Sequence, residues 1–128
     1  MSNETLKQRQ FLVIEDDSGM NASLRRKLEK LGWRTDCASN GEEGLARMRE
    51  KVYDGILMDL FMPVKDGFAV LTEKSTTKNA ATPVYVLTSL SEDQYELARH
   101  LGAKRCFAKQ DWTPAAVVAE ICQDQQAR

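Results

Sequence analysis

The chain has 128 residues with 18 basic and 19 acidic side chains, a formal net charge of −1, and is 42% hydrophobic and 29% charged. That is the size and composition of one globular domain with a core of its own. There is no basic excess of the kind a nucleic-acid binder shows, and no apolar run approaches the ~20 residues that span a bilayer, so neither nucleic acid nor membrane insertion is expected.

The start of the chain, residues 1–9, is polar, lacks the apolar segment of a signal peptide, and reads as a loose extension. Phe11-Leu12-Val13-Ile14 is a short apolar run that stops at Glu15-Asp16-Asp17, the pattern of a strand buried on both faces. Ser18 stands where an N-cap belongs; Leu24, Leu28 and Leu31 follow at helical spacing, and Gly32 closes the helix. Trp33 to Ala38 alternates large and polar residues, as a strand nearer the sheet edge would. Asn40 offers the next N-cap, with Glu42 and Glu43 in the first turn of a helix that runs to about Lys51.

A second apolar run, Gly55 to Met58, ends at Asp59 and is followed by a loop with Met62-Pro63 and Asp66-Gly67. A short helix is expected over about Gly67 to Lys74, then a polar loop to Thr82. Val84 to Leu87 is a third run, ending at Thr88-Ser89. Ser91-Glu92-Asp93 starts a helix that Leu101-Gly102 closes, and Lys104 to Ala108 is the fifth strand candidate, ending at Lys109. Thr113-Pro114 opens the last helix, with Pro at its first position and an apolar stripe of Ala116, Val117, Ala119 and Ile121. Residues 125–128 read as a loose tail, which leaves 10–124 as the domain. Strands alternating with helices argue for an α/β fold with a parallel sheet covered on both faces.

The three cysteines, Cys37, Cys106 and Cys122, are far apart with no C-x-x-C. They read as small buried or half-buried residues in a reducing compartment, hence a cytoplasmic location, rather than as a disulfide framework or zinc site. His100 is the one histidine and is read as a surface or packing residue.

Ligands of an open parallel sheet bind beyond the carboxyl ends of its strands. Glu15, Asp16 and Asp17 follow the first apolar run, Asp59 the second, Thr88-Ser89 the third, and Lys109 the fifth strand candidate. Carboxylates crowded on one rim repel unless a positive charge sits among them, and a hard divalent cation with oxygen ligands, Mg²⁺ or Mn²⁺, satisfies them. An aspartate is also a competent nucleophile for phosphoryl transfer, which needs mostly positioning and charge neutralisation.

Phe11 to Asp17, then Leu57-Met58-Asp59-Leu60-Phe61-Met62-Pro63 with Gly67, then Val86-Leu87-Thr88-Ser89, then Lys109, resemble the signature of response-regulator receiver domains of the single-domain, chemotaxis-regulator-like kind. The resemblance covers about Gln10 to Cys122 and implies the flavodoxin-like (βα)5 fold with strand order 2-1-3-4-5. It implies Asp59 as phosphoacceptor, a metal held by Glu15 (through water), Asp16, Asp59 and the backbone carbonyl of Phe61, and Lys109 paired with a phosphoryl oxygen. Thr88 is expected to move onto the phosphoryl group, and Ser89 to fill a position kept small. The implied partners are a histidine kinase or histidine phosphotransfer protein and an unidentified downstream protein, in a phosphorelay where the chain is a switch rather than a turnover enzyme.

Two departures stand out. Gln110 follows Lys109 where the family has a proline with a cis peptide; a non-proline cis bond costs about 3–4 kcal/mol, so a trans bond is expected. Cys106, with Phe107 beside it, stands where the family tends to carry an aromatic partner for the threonine. Phe61 and Leu90 are implied to lie near the path of the attacking water, where apolar bulk would lengthen the life of the acyl phosphate. The alternative reading is a receiver that never becomes phosphorylated and acts as a binding module. An aspartyl-nucleophile phosphatase would want an acid at position 61, and a flavin-binding domain would not tolerate three acids after the first strand.

Overall fold

The computed structural model describes residues 8–89 and 91–127. In β1 (Gln10–Ile14) the residues Phe11 to Ile14 are all fully buried. Phe11 and Val13 enter one core, Leu12 and Ile14 the other, which is why the run shows no polar alternation. The chain continues through α1 (Ser18–Glu29), β2 (Arg34–Ala38), α2 (Gly41–Glu50), β3 (Gly55–Met58) and α3 (Gly67–Lys74). It ends with β4 (Val84–Thr88), α4 (Glu92–His100), β5 (Arg105–Ala108) and α5 (Pro114–Gln126).

All five strands are parallel, in the order β2-β1-β3-β4-β5. Leu24 and Leu28 of α1 and Val117, Val118 and Ile121 of α5 pack on one face with Phe11, Tyr85 and Phe107. Leu45 and Met48 of α2, Val70 and Leu71 of α3 and Ala98 of α4 cover the other with Leu12, Ile14, Ile56 and Val86. The winding reverses between β1 and β3, so the residues after these two strands face each other across a crevice. Among the described residues no helix is long and apolar enough to cross a membrane.

Several local expectations need correction. The α1 N-cap is Asp17, not Ser18: its side chain accepts from the Met20 amide at 2.9 Å. Aspartate in extended backbone caps as well as serine does, so residue type alone does not favour Ser18 over the residue before it. In α5, Val118 is buried and Ala119 exposed, a shift of the stripe by one position. Cys37 is exposed rather than half-buried, because β2 is an edge strand.

The tail expected from residue 125 belongs to α5, and Gln125 is 2% exposed. Its amide donates to the Asp54 carbonyl at 3.2 Å and to the Tyr85 hydroxyl at 3.1 Å, while its side-chain oxygen accepts from Arg9 Nε at 2.9 Å. Arg9 also stacks over Trp33. A polar residue can be buried here because both its side-chain nitrogen and its side-chain oxygen have partners.

Candidate active site

Backbone pairing sets the site. The Glu15 amide donates to the Ala38 carbonyl at 3.0 Å and the Asp59 amide to the Ile14 carbonyl at 3.1 Å, so each acid is held one residue beyond its strand. Glu15, Asp16 and Asp59 bring carboxylate oxygens within 4.8 Å of one another. Asp16 is exposed, whereas Glu15 and Asp59 are buried.

Lys109 reaches into this cluster from the end of β5. Its Nζ lies 3.0 Å from Asp59 Oδ2 and 3.3 Å from Glu15 Oε1. Among the described residues no peptide bond is cis, so the Lys109–Gln110 bond is trans, and the lysine still meets both carboxylates. Its amide is anchored on the Thr88 carbonyl at 2.9 Å. Burial alone would lower the Lys109 pKa, but the hydrogen bond and charge of Asp59, then those of Glu15, hold it above the usual lysine value.

The Asp59 carboxylate has a second set of partners. Thr88 Oγ1 donates to Oδ1 at 2.5 Å, and the Phe61 amide donates to the same oxygen at 3.2 Å. Thr88 is fully buried. The Thr88 hydroxyl, expected to act on a phosphoryl group at Asp59, stands beside that carboxylate. Ser89 is exposed and Cys106 half-buried. Phe61 is 48% exposed. Leu90 lies outside the described residues.

Glu15 has its pKa pushed up to about 7, mainly by burial. The Asp17 amide, at 3.2 Å from Oε2, and Lys109 oppose the shift, and the Asp59 charge adds to it. A buried carboxylate whose charge is this poorly compensated is a place where a cation binds with profit. Hard oxygen donors clustered this closely fit a small divalent cation.

Asn21 was not singled out in the sequence. It is buried on α1, and its side-chain amide donates to the Glu15 carbonyl at 3.0 Å and the Ala38 carbonyl at 3.3 Å. Arg25 Nε in turn donates to its oxygen at 2.8 Å. The signal was present: Asn21 precedes Leu24 and Leu28 at helical spacing, so a polar side chain sits in an apolar stripe.

The geometry agrees with a comparison against protein families, in which the model for the response regulator receiver domain matches residues 11–121. The chain belongs to the response regulator receiver domain family. This receiver is 32% identical over 120 residues to the transcriptional regulatory protein ResD of Bacillus subtilis, covering 94% of this chain and 48% of that protein. It is 40% identical over 80 residues to the transcriptional regulatory protein PrrA of Mycobacterium leprae, covering 62% and 34%. It therefore spans about half the length of the first of these relatives and less of the second.

Among solved structures, the receiver domain of a response regulator from Francisella superposes with a TM-score of 0.83 at 26% identity, over 94% of this chain and 98% of that one. The receiver domain of a sensor histidine kinase from Pseudomonas aeruginosa superposes at 0.81 and 26%, over 95% and 100%, and was solved with a magnesium ion coordinated in its active-site cleft.

Proposed function

We propose that this receiver accepts a phosphoryl group on Asp59 in a two-component phosphorelay and thereby changes which protein it binds. The observation that carries this reading is the buried Asp59 carboxylate, with one oxygen on Lys109 and the other on Thr88 and the Phe61 amide. The nucleophile is oriented on both oxygens before a donor arrives, which removes much of the entropy cost of the encounter.

The donor is the phosphohistidine of a histidine kinase or histidine phosphotransfer protein. An Asp59 oxygen forms a bond to phosphorus as the phosphorus–nitrogen bond breaks, and the imidazole leaves with the electron pair. Lys109 neutralises charge on the transferring oxygens, and the Thr88 hydroxyl, already at the carboxylate, donates to one of them. Glu15, Asp16 and Asp59, with the Phe61 carbonyl, would hold Mg²⁺ or Mn²⁺, which when bound supplies positive charge to the phosphoryl oxygens. Ser89 is exposed and small beside Thr88, which leaves the group room.

Phe61 and Leu90 are the side chains we assign to slowing hydrolysis. The chain acts as a switch rather than a turnover enzyme and works in the cytoplasm. Its output is protein binding or onward transfer of the group, in keeping with its even balance of charge.

The test is intact mass spectrometry after incubation with acetyl phosphate and Mg²⁺, beside Asp59→Asn. One phosphoryl addition that needs the metal and is missing from the variant is expected. No addition, where another receiver is modified under the same conditions, overturns the reading in favour of a phosphorylation-independent binding module.

A further inference from the structure

The acids that follow β1 have to be held against their own repulsion. Glu15, Asp16 and Asp59 bring carboxylate oxygens within 4.8 Å of one another, and like charges this close push apart when no cation lies among them. Glu15 and Asp16 stand beyond the last β1 residue, Ile14, so the strand ladder does not by itself fix the turn that carries them.

Asn21 closes that turn at both ends. Its backbone amide donates to the Asp17 carbonyl at 2.9 Å, and its side-chain nitrogen donates to the Glu15 carbonyl at 3.0 Å. Asp16 lies between these two anchored residues. The same nitrogen reaches the Ala38 carbonyl at 3.3 Å, which also accepts from the Glu15 amide at 3.0 Å. The ends of β1 and β2 and the first turn of α1 thus meet on one side chain, and that side chain is buried, with Asn21 6% exposed. Arg25, one helical turn on, sets which way the amide faces: its Nε donates to the Asn21 oxygen at 2.8 Å. A guanidinium only donates and a carbonyl only accepts, so the Asn21 nitrogen is kept toward the two carbonyls.

We propose that Asn21, oriented by Arg25, is a positioning residue for the metal site: it pins residues 15–17 so that the carboxylates of Glu15 and Asp16 stay converged on Asp59 before a divalent cation arrives. Asn21 itself touches neither metal nor phosphoryl group. A turn that is already closed does not have to be ordered on binding, and the affinity gained is that of preorganisation. The inference rests on the metal-holding part of the proposed function.

The experiment is isothermal titration of the full chain with Mg²⁺ for wild type, Asn21→Ala and Arg25→Met, each checked for folding by circular dichroism. Asn21→Ala is expected to bind Mg²⁺ roughly tenfold or more weakly, the usual loss when a group that orients a metal ligand is removed. Its labelling by acetyl phosphate should fall at low Mg²⁺, and the gap to wild type should narrow as Mg²⁺ is raised. Arg25→Met separates positioning from charge. Arg25 lines the same cleft as Glu15 and Asp16, so removal of its positive charge by itself favours Mg²⁺. Release of the Asn21 amide acts the other way, and weaker binding is the expected net result.

If Asn21→Ala does not fold, Arg25→Met decides alone, since Arg25 is only half-buried. Wild-type affinity in folded Asn21→Ala, or equal or tighter binding by Arg25→Met, would overturn the proposal. A wild type that takes up no Mg²⁺ overturns it together with the proposed metal site. A wild type that binds Mg²⁺ but is never labelled counts against Asp59 as acceptor, while the affinities still decide the role of Asn21.

Discussion

Glu15 carries the largest electrostatic tension in the site. Its folded-state pKa of about 7 lies above the ordinary value of 4.5, so between these pH values the folded protein binds a proton that the unfolded chain does not. Its contribution to stability in the absence of metal is therefore full below about pH 4.5 and is lost as pH rises through about 7. Metal binding needs the carboxylate and must displace that proton. Apparent Mg²⁺ affinity is expected to fall as pH drops below about 7, by up to about tenfold per unit for one competing proton. Isothermal titration across this range measures it. In Glu15→Gln the slope should flatten; an unchanged slope would assign the proton to another group.

At the scale of elements, the loop between β3 and α3 decides whether Asp59 is aimed correctly. The Gly67 amide donates to the Leu60 carbonyl at 2.8 Å, and a Cβ added to Gly67 would lie 2.7 Å from the Leu60 Cα. Lys65 ties the same loop to α2 and α3, with Nζ at 3.4 Å from Glu42 and 2.5 Å from Glu73. Gly67→Ala must push the backbone that carries Asp59, Leu60 and Phe61. It is expected to destabilise by roughly 1–3 kcal/mol, the usual range for overpacking, and to reduce acetyl phosphate labelling of the protein that remains folded. Chemical denaturation and mass spectrometry read the two effects separately.

At the scale of the whole molecule, residues far from the rim make the sheet and helices one unit. Asn79 is fully buried and lies in what the sequence presents as a polar loop. Its amide donates to the Met48 carbonyl at 2.7 Å and the Lys51 carbonyl at 2.8 Å, while its oxygen accepts from the Tyr53 amide at 2.7 Å and the Thr82 hydroxyl at 2.9 Å. One side chain thus joins the end of α2, the approach to β3 and the approach to β4. Asn79→Ala removes this partner from the Met48 and Lys51 carbonyls and the Tyr53 amide, while the Thr82 hydroxyl keeps the Tyr53 carbonyl at 3.1 Å, at roughly 1–3 kcal/mol for each buried group left unpaired that water cannot reach. We expect a large drop in the urea midpoint with little change in Mg²⁺ affinity of the folded protein. A midpoint within error of wild type would mean that water replaces the amide.

The sequence by itself determined the order of strands and helices, the buried character of β1, β3 and β4, and the acids, hydroxyl and lysine at the strand ends. Those features are local: a run of apolar residues, its period, and the residue type that stops it. Gathering Glu15, Asp59 and Lys109 at one rim also followed, because a parallel sheet puts all its strand carboxyl ends on one side. Only the tertiary structure decided that the Thr88 hydroxyl donates to Asp59 and that Gln125 is a core residue rather than a tail. The Gln125–Arg9 bond joins positions 116 residues apart. Pairings of this kind depend on which helix covers which strand and on how much volume each small residue leaves. No window of sequence contains both partners, so their chemistry becomes visible only when the layers close on one another.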